Sequence, residues 1–127
     1  MGVRVATVTL VVDDYDRGIA FYRDVLGLSL VADTDMGDGK RWVLVEGAGG
    51  ARLLLAKADG PRQMAAIGNQ TGGRVGFFLE TDDFAHDHAH FVERGVVFRE
   101  APRYEPYGIV AVFDDPFGNG WDLIQPK

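Results

Sequence analysis

The strongest constraint on this chain is an internal duplication. When one half is laid over the other, Gly27 falls on Gly95 and Leu54 falls on Asp122, both at a spacing of 68 residues. A sequence that matches itself at a fixed spacing uses one supersecondary unit more than once. We therefore predict two copies of one small module within a single domain.

Each half predicts a strand, a helix and three more strands. Residues 3–12 are rich in β-branched side chains and lead to Asp14, whose carboxylate suits a helix N-cap. That helix ends at Gly27, and the second half repeats the arrangement with a helix that starts at Asp82 or Asp83. Strands are predicted at 3–12, 28–34, 40–46 and 51–57 in the first half and at 74–80, 96–100, 109–114 and 121–125 in the second.

This order predicts an α+β fold made of two βαβββ modules. The first module spans about 3–57, the second spans about 73–127, and residues 58–72 connect them. Sheets of this kind twist, so two modules with helices on their outer faces are expected to form mixed, strongly curved sheets that enclose a cleft. A cleft between repeats is a natural site for a small organic ligand.

Composition excludes several other classes of function. The chain has 127 residues and no cysteine, which removes disulfides and thiolate metal sites. Thirteen basic against nineteen acidic side chains give a net charge of −6, and no basic run is present to follow a nucleic acid. No apolar stretch approaches the ~20 residues of a membrane span. We expect a cytoplasmic protein with neither nucleic acid nor membrane as a partner.

Two segments carry a family resemblance. Residues 14–28 read D-Y-D-R-G-I-A-F-Y-R-D-V-L-G-L, and residues 113–124 read F-D-D-P-F-G-N-G-W-D-L-I. The first resembles the first-helix signature of the glyoxalase, bleomycin-resistance and extradiol-dioxygenase superfamily, also called the vicinal oxygen chelate family. The second is similar to that family's D-P-x-G-N-x-W-E-L ending. The resemblance implies paired βαβββ modules around a U-shaped cavity, commonly within a homodimer.

The same resemblance implies where a metal is held in the metal-dependent members. A histidine on the first strand and a glutamate on the last strand of each module are expected, and the matching positions here are Thr7, Leu54, Arg74 and Asp122. Only Asp122 is a usual ligand, and the permanent charge of Arg74 repels a cation. We therefore expect no cofactor and no metal at the usual family position.

The period of two in a strand predicts which side chains line the cleft. If Val8, Leu10 and Val12 pack under the first helix, Thr7 and Thr9 turn inward. Polar and apolar groups then mix on the inner face, as they do in a pocket for a partly apolar ligand. The candidate ligand-binding residues are Thr7, Thr9, Trp42, Glu46, Arg52, Leu54, Phe78, Glu80, Tyr107 and Trp121. The two tryptophans are candidates either for stacking on a planar ligand or for the core.

Asp122 and Arg74 are the candidate catalytic pair. Placed opposite one another in the cleft, the carboxylate could remove a proton while the guanidinium stabilises the resulting enolate. Two other interpretations stay open. Arg74 could bind a ligand carboxylate or phosphate in bidentate fashion, or it could form an internal ion pair with Asp122.

The three histidines fall within His86-Asp87-His88-Ala89-His90. On a helix, His86 and His90 lie four residues apart and could share a metal ion. His88 follows Phe84 by four residues, which indicates a place on the packed stripe, and the other two then belong to a solvated face.

Two functions from different classes remain open. The leading hypothesis is a protein that binds or sequesters a small organic molecule without the family's usual metal. The net charge of −6, with Glu46, Glu80 and Asp122 facing inward, suits a cationic guest. The alternative is an enzyme of the same family, a lactoylglutathione-lyase-like lyase, an isomerase or a dioxygenase, that acts on a small oxygenated substrate. In both cases the resemblance implies a homodimer.

Overall fold

The computed structural model describes residues 2–127. The chain divides into two compact units, Met1–Ile67 and Gly68–Lys127, called module 1 and module 2 below. Module 1 contains β1 (Thr7–Val12), helix α1 (Tyr15–Ile19), a π-helical turn (Ala20–Val25), β2 (Ser29–Gly37), β3 (Lys40–Glu46), β4 (Arg52–Lys57) and the short helix α2 (Pro61–Met64). Module 2 contains β5 (Phe77–Glu80), α3 (Phe84–Glu93), β6 (Val97–Phe98), β7 (Arg103–Glu105), β8 (Gly108–Asp114) and β9 (Gly120–Pro126).

Each module is built on one mixed sheet. Module 1 has four strands in the order β1-β4-β3-β2, and module 2 has five, in the order β5-β9-β8-β6 with β7 paired to β8. The first and last strands of each module pair in parallel, and every other pair is antiparallel. The predicted α+β fold of two repeated modules is confirmed. Among residues 2–127, no helix is both long and apolar enough to cross a bilayer.

Both main helices begin and end where the sequence predicts. The Asp14 carboxylate accepts a hydrogen bond from the Arg17 backbone N–H at 2.9 Å, and Asp83 caps α3 in the same way. Gly27 and Gly95 end the helical segments with φ of +82° and +90°, a left-handed conformation that glycine adopts without strain. Local capping chemistry therefore sets these boundaries.

The core of module 1 lies between its sheet and the first helical segment. The row of paired residues Leu10, Leu55 and Val43 is fully buried, and α1 packs against β3 and β4. Because side chains alternate along a strand, the row formed by Thr9, Leu54 and Leu44 lies on the face opposite α1. This alternation is what makes one face of the sheet available for a ligand.

The core of module 2 is aromatic. The fully buried ring of Phe113 lies 6.2 Å from Phe91 and 6.0 Å from Trp121, measured between centroids, and Trp121 stacks on Phe77 at 4.8 Å. His88 lies against Phe98 at 4.3 Å. The placement of His88 on the packed stripe of α3 is confirmed.

Two strands begin several residues later than predicted, and one further strand is not predicted. β1 begins at Thr7 rather than at residue 3, because its partner β4 begins at Arg52, which pairs with Thr7. β5 begins at Phe77, three residues after Arg74. The stretch between the strands predicted at 96–100 and 109–114 contains β7, which adds a fourth strand after the helix of module 2.

Gly68 lies in very close contact with the turn before β9. Its φ is +68°, and a Cβ atom at this position would lie 2.1 Å from the carbonyl oxygen of Phe117. No side chain fits at that distance without moving backbone. Gly68 thus joins the first residues of module 2 to the turn that precedes its last strand.

Candidate functional site

The face of the module 1 sheet opposite α1 carries six of the predicted site residues. Strand register places Thr7 beside Arg52 and Arg52 beside Glu46. The next row holds Thr9 and Leu54, together with Leu44 on β3. Trp42 precedes Leu44 by two residues and therefore lies on the same face.

Two of these six residues, Arg52 and Glu46, form an ion pair with each other. The Arg52 guanidinium donates from Nε to the Glu46 carboxylate at 3.1 Å across neighbouring strands. A carboxylate that holds an arginine offers less negative charge to a cationic guest. The hypothesis of a cationic guest is therefore weakened as far as it rests on the charge of Glu46.

Module 1 also contains a cavity of about 700 Å³ at the end of its sheet. Thr9, Trp42 and Leu54 of the predicted set line it. The remaining lining residues come from the β2–β3 hairpin, the end of β4, the residues after it and the start of α1: Tyr15, Met36, Asp38, Gly39, Lys40, Arg41, Leu55, Ala56, Lys57, Ala58, Asp59 and Gln63. A volume of this size suits a drug-sized organic molecule.

The cavity wall is held by Arg41. Its guanidinium donates to Asp33 at 2.8 and 3.1 Å and to Asp16 at 2.9 Å, and it lies 5.2 Å from the centre of the Tyr15 ring. The Arg41 backbone N–H also donates to the Tyr15 hydroxyl at 3.2 Å. The hydrogen bond from Arg41 lowers the pKa of Asp33. Arg41 thus tethers the hairpin to α1, a structural task.

Apolar contact in the cavity comes from Trp42 and Met36. The Trp42 side chain is 45% exposed, and Met36 on β2 is also exposed. An aromatic ring beside a flexible thioether offers a surface that adapts to a planar ligand. Met36 was not among the predicted residues, because it lies in a stretch of the sequence that reads as a turn.

Asp122 lies on the corresponding face of module 2. Register places it between Phe78 on β5 and Val112 on β8. Its Oδ1 atom is buried and has no hydrogen-bond partner, while the neighbouring Phe78 side chain is exposed. Burial raises the pKa of Asp122, nearby Arg103 lowers it, and Glu100 raises it. A buried acceptor without a donor is rare in folded proteins and marks a place where a ligand donor would be stabilising.

The predicted pairing of Arg74 with Asp122 is wrong. Arg74 is exposed, lies before β5 and forms no ion pair with Asp122. The Thr71 hydroxyl donates to the Arg74 carbonyl at 2.6 Å and holds this segment in a turn. The arginine whose charge acts on Asp122 is Arg103, which sequence reasoning missed.

Arg103 is itself bound to two other carboxylates. Its Nε donates to Glu100 at 2.8 Å and its Nη1 donates to Glu105 at 3.4 Å. The second oxygen of Glu100 accepts from the Val112 backbone N–H at 3.0 Å. These contacts fix Arg103 at the edge of the sheet and leave Asp122 without a direct cationic partner.

The last three predicted site residues, Glu80, Tyr107 and Trp121, lie in three different parts of module 2. Glu80 lies two residues after Phe78 and so shares its face of β5. Tyr107 is exposed in the turn between β7 and β8 and forms a hydrogen bond with Arg103. Trp121 is 4% exposed and stacks within the core, which favours the core over ligand stacking for this residue.

The residues at the family's metal positions do not fit a divalent metal. The Gly76 backbone N–H donates to the Gly120 carbonyl, two residues before the paired Phe78 and Asp122. In module 1, Thr7 pairs with Arg52 two residues before the paired Thr9 and Leu54. Gly76, and not Arg74, therefore corresponds to Thr7. At the four metal positions, module 1 then offers the neutral hydroxyl of Thr7, and module 2 offers the carboxylate of Asp122. Within residues 2–127, no three His, Cys, Asp or Glu side chains are grouped to hold a metal ion.

We expect the substitution Asp122→Asn to raise the free energy of unfolding at neutral pH. A carboxyl whose pKa is raised in the folded state binds its proton more tightly there, so its contribution to stability falls as pH rises. The gain from Asp122→Asn should be absent below the pKa of an unfolded aspartate, about 4, and complete above the raised folded pKa. Urea unfolding between pH 3 and pH 8 measures it, and a gain that is independent of pH would contradict this assignment.

Comparison with known proteins agrees with this architecture. The family model of the Glyoxalase/Bleomycin resistance protein/Dioxygenase superfamily matches residues 4–123. An uncharacterized protein of Shewanella frigidimarina (strain NCIMB 400) is 48% identical over 121 residues, which cover 93% of this chain and 90% of that protein.

Two solved structures are similar over almost their full length. TnmS3, an antibiotic binding protein from Streptomyces sp. CB03234, has a TM-score of 0.80 and 32% identity, and the match covers 98% of this chain and 97% of that one. UcmS2 has a TM-score of 0.83 and 27% identity, with 98% of each chain covered.

Proposed function

We propose that this chain, which belongs to the Glyoxalase/Bleomycin resistance protein/Dioxygenase superfamily, binds a small organic molecule without the family's usual metal. The observation that carries the proposal is the cavity of about 700 Å³ in module 1, with Trp42 and Met36 on its walls. The hydrogen bonds from Arg41 to Asp16 and Asp33 support it, because they hold the hairpin against α1 and so lower the ordering cost of binding. The likeness to an antibiotic binding protein supports the same class of function.

The unpartnered oxygen of Asp122 supports a separate contact surface for a small molecule, on module 2 alone. A ligand N–H or O–H that reaches Oδ1 would satisfy a buried acceptor, while the exposed Phe78 ring offers apolar contact beside it. Glu80 on the same face adds negative charge. This surface favours a small molecule with a cationic or donor-bearing group.

The two tryptophans provide the test. We expect 1-naphthylmethylammonium, 1-naphthalenemethanol or 1-naphthoate, titrated in turn, to quench the exposed Trp42 and leave the buried Trp121 unchanged. The variant Trp42→Phe keeps Trp121 and should lose the quenching, whereas Trp121→Phe should keep it. If at least one probe binds and raises Tm, the ranking of the three reports the charge that the site prefers.

The outcome against the proposal is equally specific. If quenching persists in Trp42→Phe, or if saturating probe leaves Tm unchanged for all three compounds, the cavity does not bind planar organic molecules. The conservative variant Arg62→Gln, at an exposed residue next to Gln63 and outside the cavity lining, serves as the control.

A second candidate function is catalysis by Asp122. Its unpartnered, buried oxygen with a raised pKa is the one feature that favours a general base, as in an isomerase or lyase of this family. The loss of the Arg74 contact removes the predicted enolate stabiliser from that scheme. Proton exchange from a carbonyl substrate into D₂O, abolished in Asp122→Asn and retained in Glu80→Gln, would establish the activity.

We also propose that the protein acts as a cytoplasmic homodimer. Val3 and Val5 are highly exposed in a segment that pairs with no strand, and this segment leads into β1, an edge strand whose Val8 is exposed. Unpaired strand edges and exposed apolar side chains of this kind favour association with a second copy. Light scattering should give twice 13.9 kDa for the native chain and 13.9 kDa for the double variant Val3→Asp, Val5→Asp. A native protein that is monomeric at 100 μM would overturn this proposal.

A further inference from the structure

We propose that His86 and His90 on helix α3 form a binding site for one divalent transition-metal ion. The two residues are four apart on a ten-residue helix and therefore lie on the same face. Their rings are nearly parallel, with an interplanar angle of 8° and centroids 6.1 Å apart. This arrangement is independent of the cavity in module 1 and of Asp122.

The neighbouring side chains show why only these two imidazoles are available. His88 is stacked on Phe84 at 5.4 Å and lies against Phe98 at 4.3 Å, so its ring belongs to the packed side of the helix. The carboxylate of Asp87 accepts the Thr81 hydroxyl at 2.5 Å and is directed toward the strand that precedes α3. The solvent side of the helix is left with His86, which is exposed, and His90, which is half-buried.

The donor set decides the class of ion. Neutral imidazole binds zinc, nickel and copper at about 2.0–2.1 Å, and it is a poor ligand for magnesium or calcium. No third donor of the described residues is grouped with the pair, so water would complete the coordination sphere. For a site of two nitrogens open to water, affinity should follow the general order for divalent ions, with Cu²⁺ bound more tightly than Ni²⁺ or Zn²⁺.

The two rings can rotate about their side-chain bonds to converge on one ion. Exposed side chains exchange rotamers within nanoseconds, and the backbone of an α-helix already holds residues i and i+4 side by side. Once formed, the chelate links two successive turns of α3. The opposite stripe of the helix, with Phe84 and Phe91, is buried in the core of module 2, so metal binding should stabilise the folded module.

The experiment uses the full chain after treatment with a chelator. We expect calorimetric titration with CuCl₂ to show one bound ion per chain, and the electron paramagnetic resonance spectrum to show coupling to imidazole nitrogen. His86→Gln and His90→Gln should each weaken Cu²⁺ binding by about tenfold or more, because either change leaves a single imidazole. Bound Cu²⁺ should raise Tm in the native chain and in neither variant.

His88→Gln is the matched control, since it removes a histidine from the same five residues without touching the proposed site. Cu²⁺ binding should be unchanged in it. If His88→Gln does not fold, Arg62→Gln, at an exposed residue outside α3, replaces it as the control. The proposal is overturned if Cu²⁺ binds with a dissociation constant weaker than about 1 mM, or if neither His86→Gln nor His90→Gln weakens binding.

Discussion

The variant Asp115→Ala is expected to lose about 3 kcal/mol of unfolding free energy, because it leaves several buried donors without an acceptor. The Asp115 side chain is 4% exposed. Its Oδ1 accepts from the backbone N–H groups of Phe117 and Asn119 at 2.9 and 2.8 Å, and its Oδ2 accepts from the Asn119 side-chain amide at 2.7 Å. Urea unfolding followed by circular dichroism measures the loss.

The adjacent aspartate supplies the control. Asp114 pairs with Arg99 at the surface, and removal of a surface ion pair costs at most about 1 kcal/mol. Asp114→Ala should therefore leave most of the stability in place. If the two alanine variants were equally destabilised, the turn between β8 and β9 would not depend on the Asp115 carboxylate.

The largest loss from the core is expected for Phe113→Ala, at about 3–5 kcal/mol. The Phe113 ring is fully buried and lies within 6.2 Å of the rings of Phe91, Phe98 and Trp121. Its removal opens a cavity at the centre of the aromatic core and deprives Trp121 of a stacking partner. Thermal unfolding, with the emission of Trp121 as a second signal, measures the effect.

Tyr104→Ala is the comparison for this variant. Tyr104 is 81% exposed on the short strand β7, where surface substitutions usually change stability by less than about 0.5 kcal/mol. Comparable losses in the two variants would mean that the aromatic cluster is not the main source of stability in module 2.

Features of the fold that depend on neighbouring residues could be predicted from the sequence. The caps at Asp14 and Asp83 and the ends at Gly27 and Gly95 are local, since each depends on the chemistry of one side chain or on one φ angle. The strand at 40–46 was predicted with its observed bounds, because its apolar run is bounded on both sides by glycine-rich turns.

Strand starts were less predictable, because they depend on a partner far along the chain. Val75 favours a strand, but β5 forms only from Phe77, where β9 is present to pair with it. This difference of a few residues took Arg74 off the sheet and removed its contact with Asp122. Register is a property of two strands together, and the composition of one strand does not encode it.

Features of the candidate site also divide into those that local sequence patterns predict and those that depend on contacts between distant residues. Thr9, Trp42 and Leu54 follow from the alternation of strands whose buried face is evident in the sequence. The tether from Arg41 to Asp16 spans 25 residues and requires a hairpin to fold back over a helix. No local pattern signals such a contact, and the same holds for the placement of Arg103 near Asp122.

The contact between Gly68 and Phe117 constrains how this chain can diverge. The residues that precede it, from Ala58 to Ile67, run along the surface around the four-residue helix α2, and their side chains are exposed or half-buried. Between Gln63, which lines the cavity, and Gly68, sequences descended from this one can therefore gain or lose residues at little cost. At Gly68 itself the backbone admits hydrogen alone, so an alignment of such descendants should show an invariant glycine at the end of a segment that varies in both length and sequence.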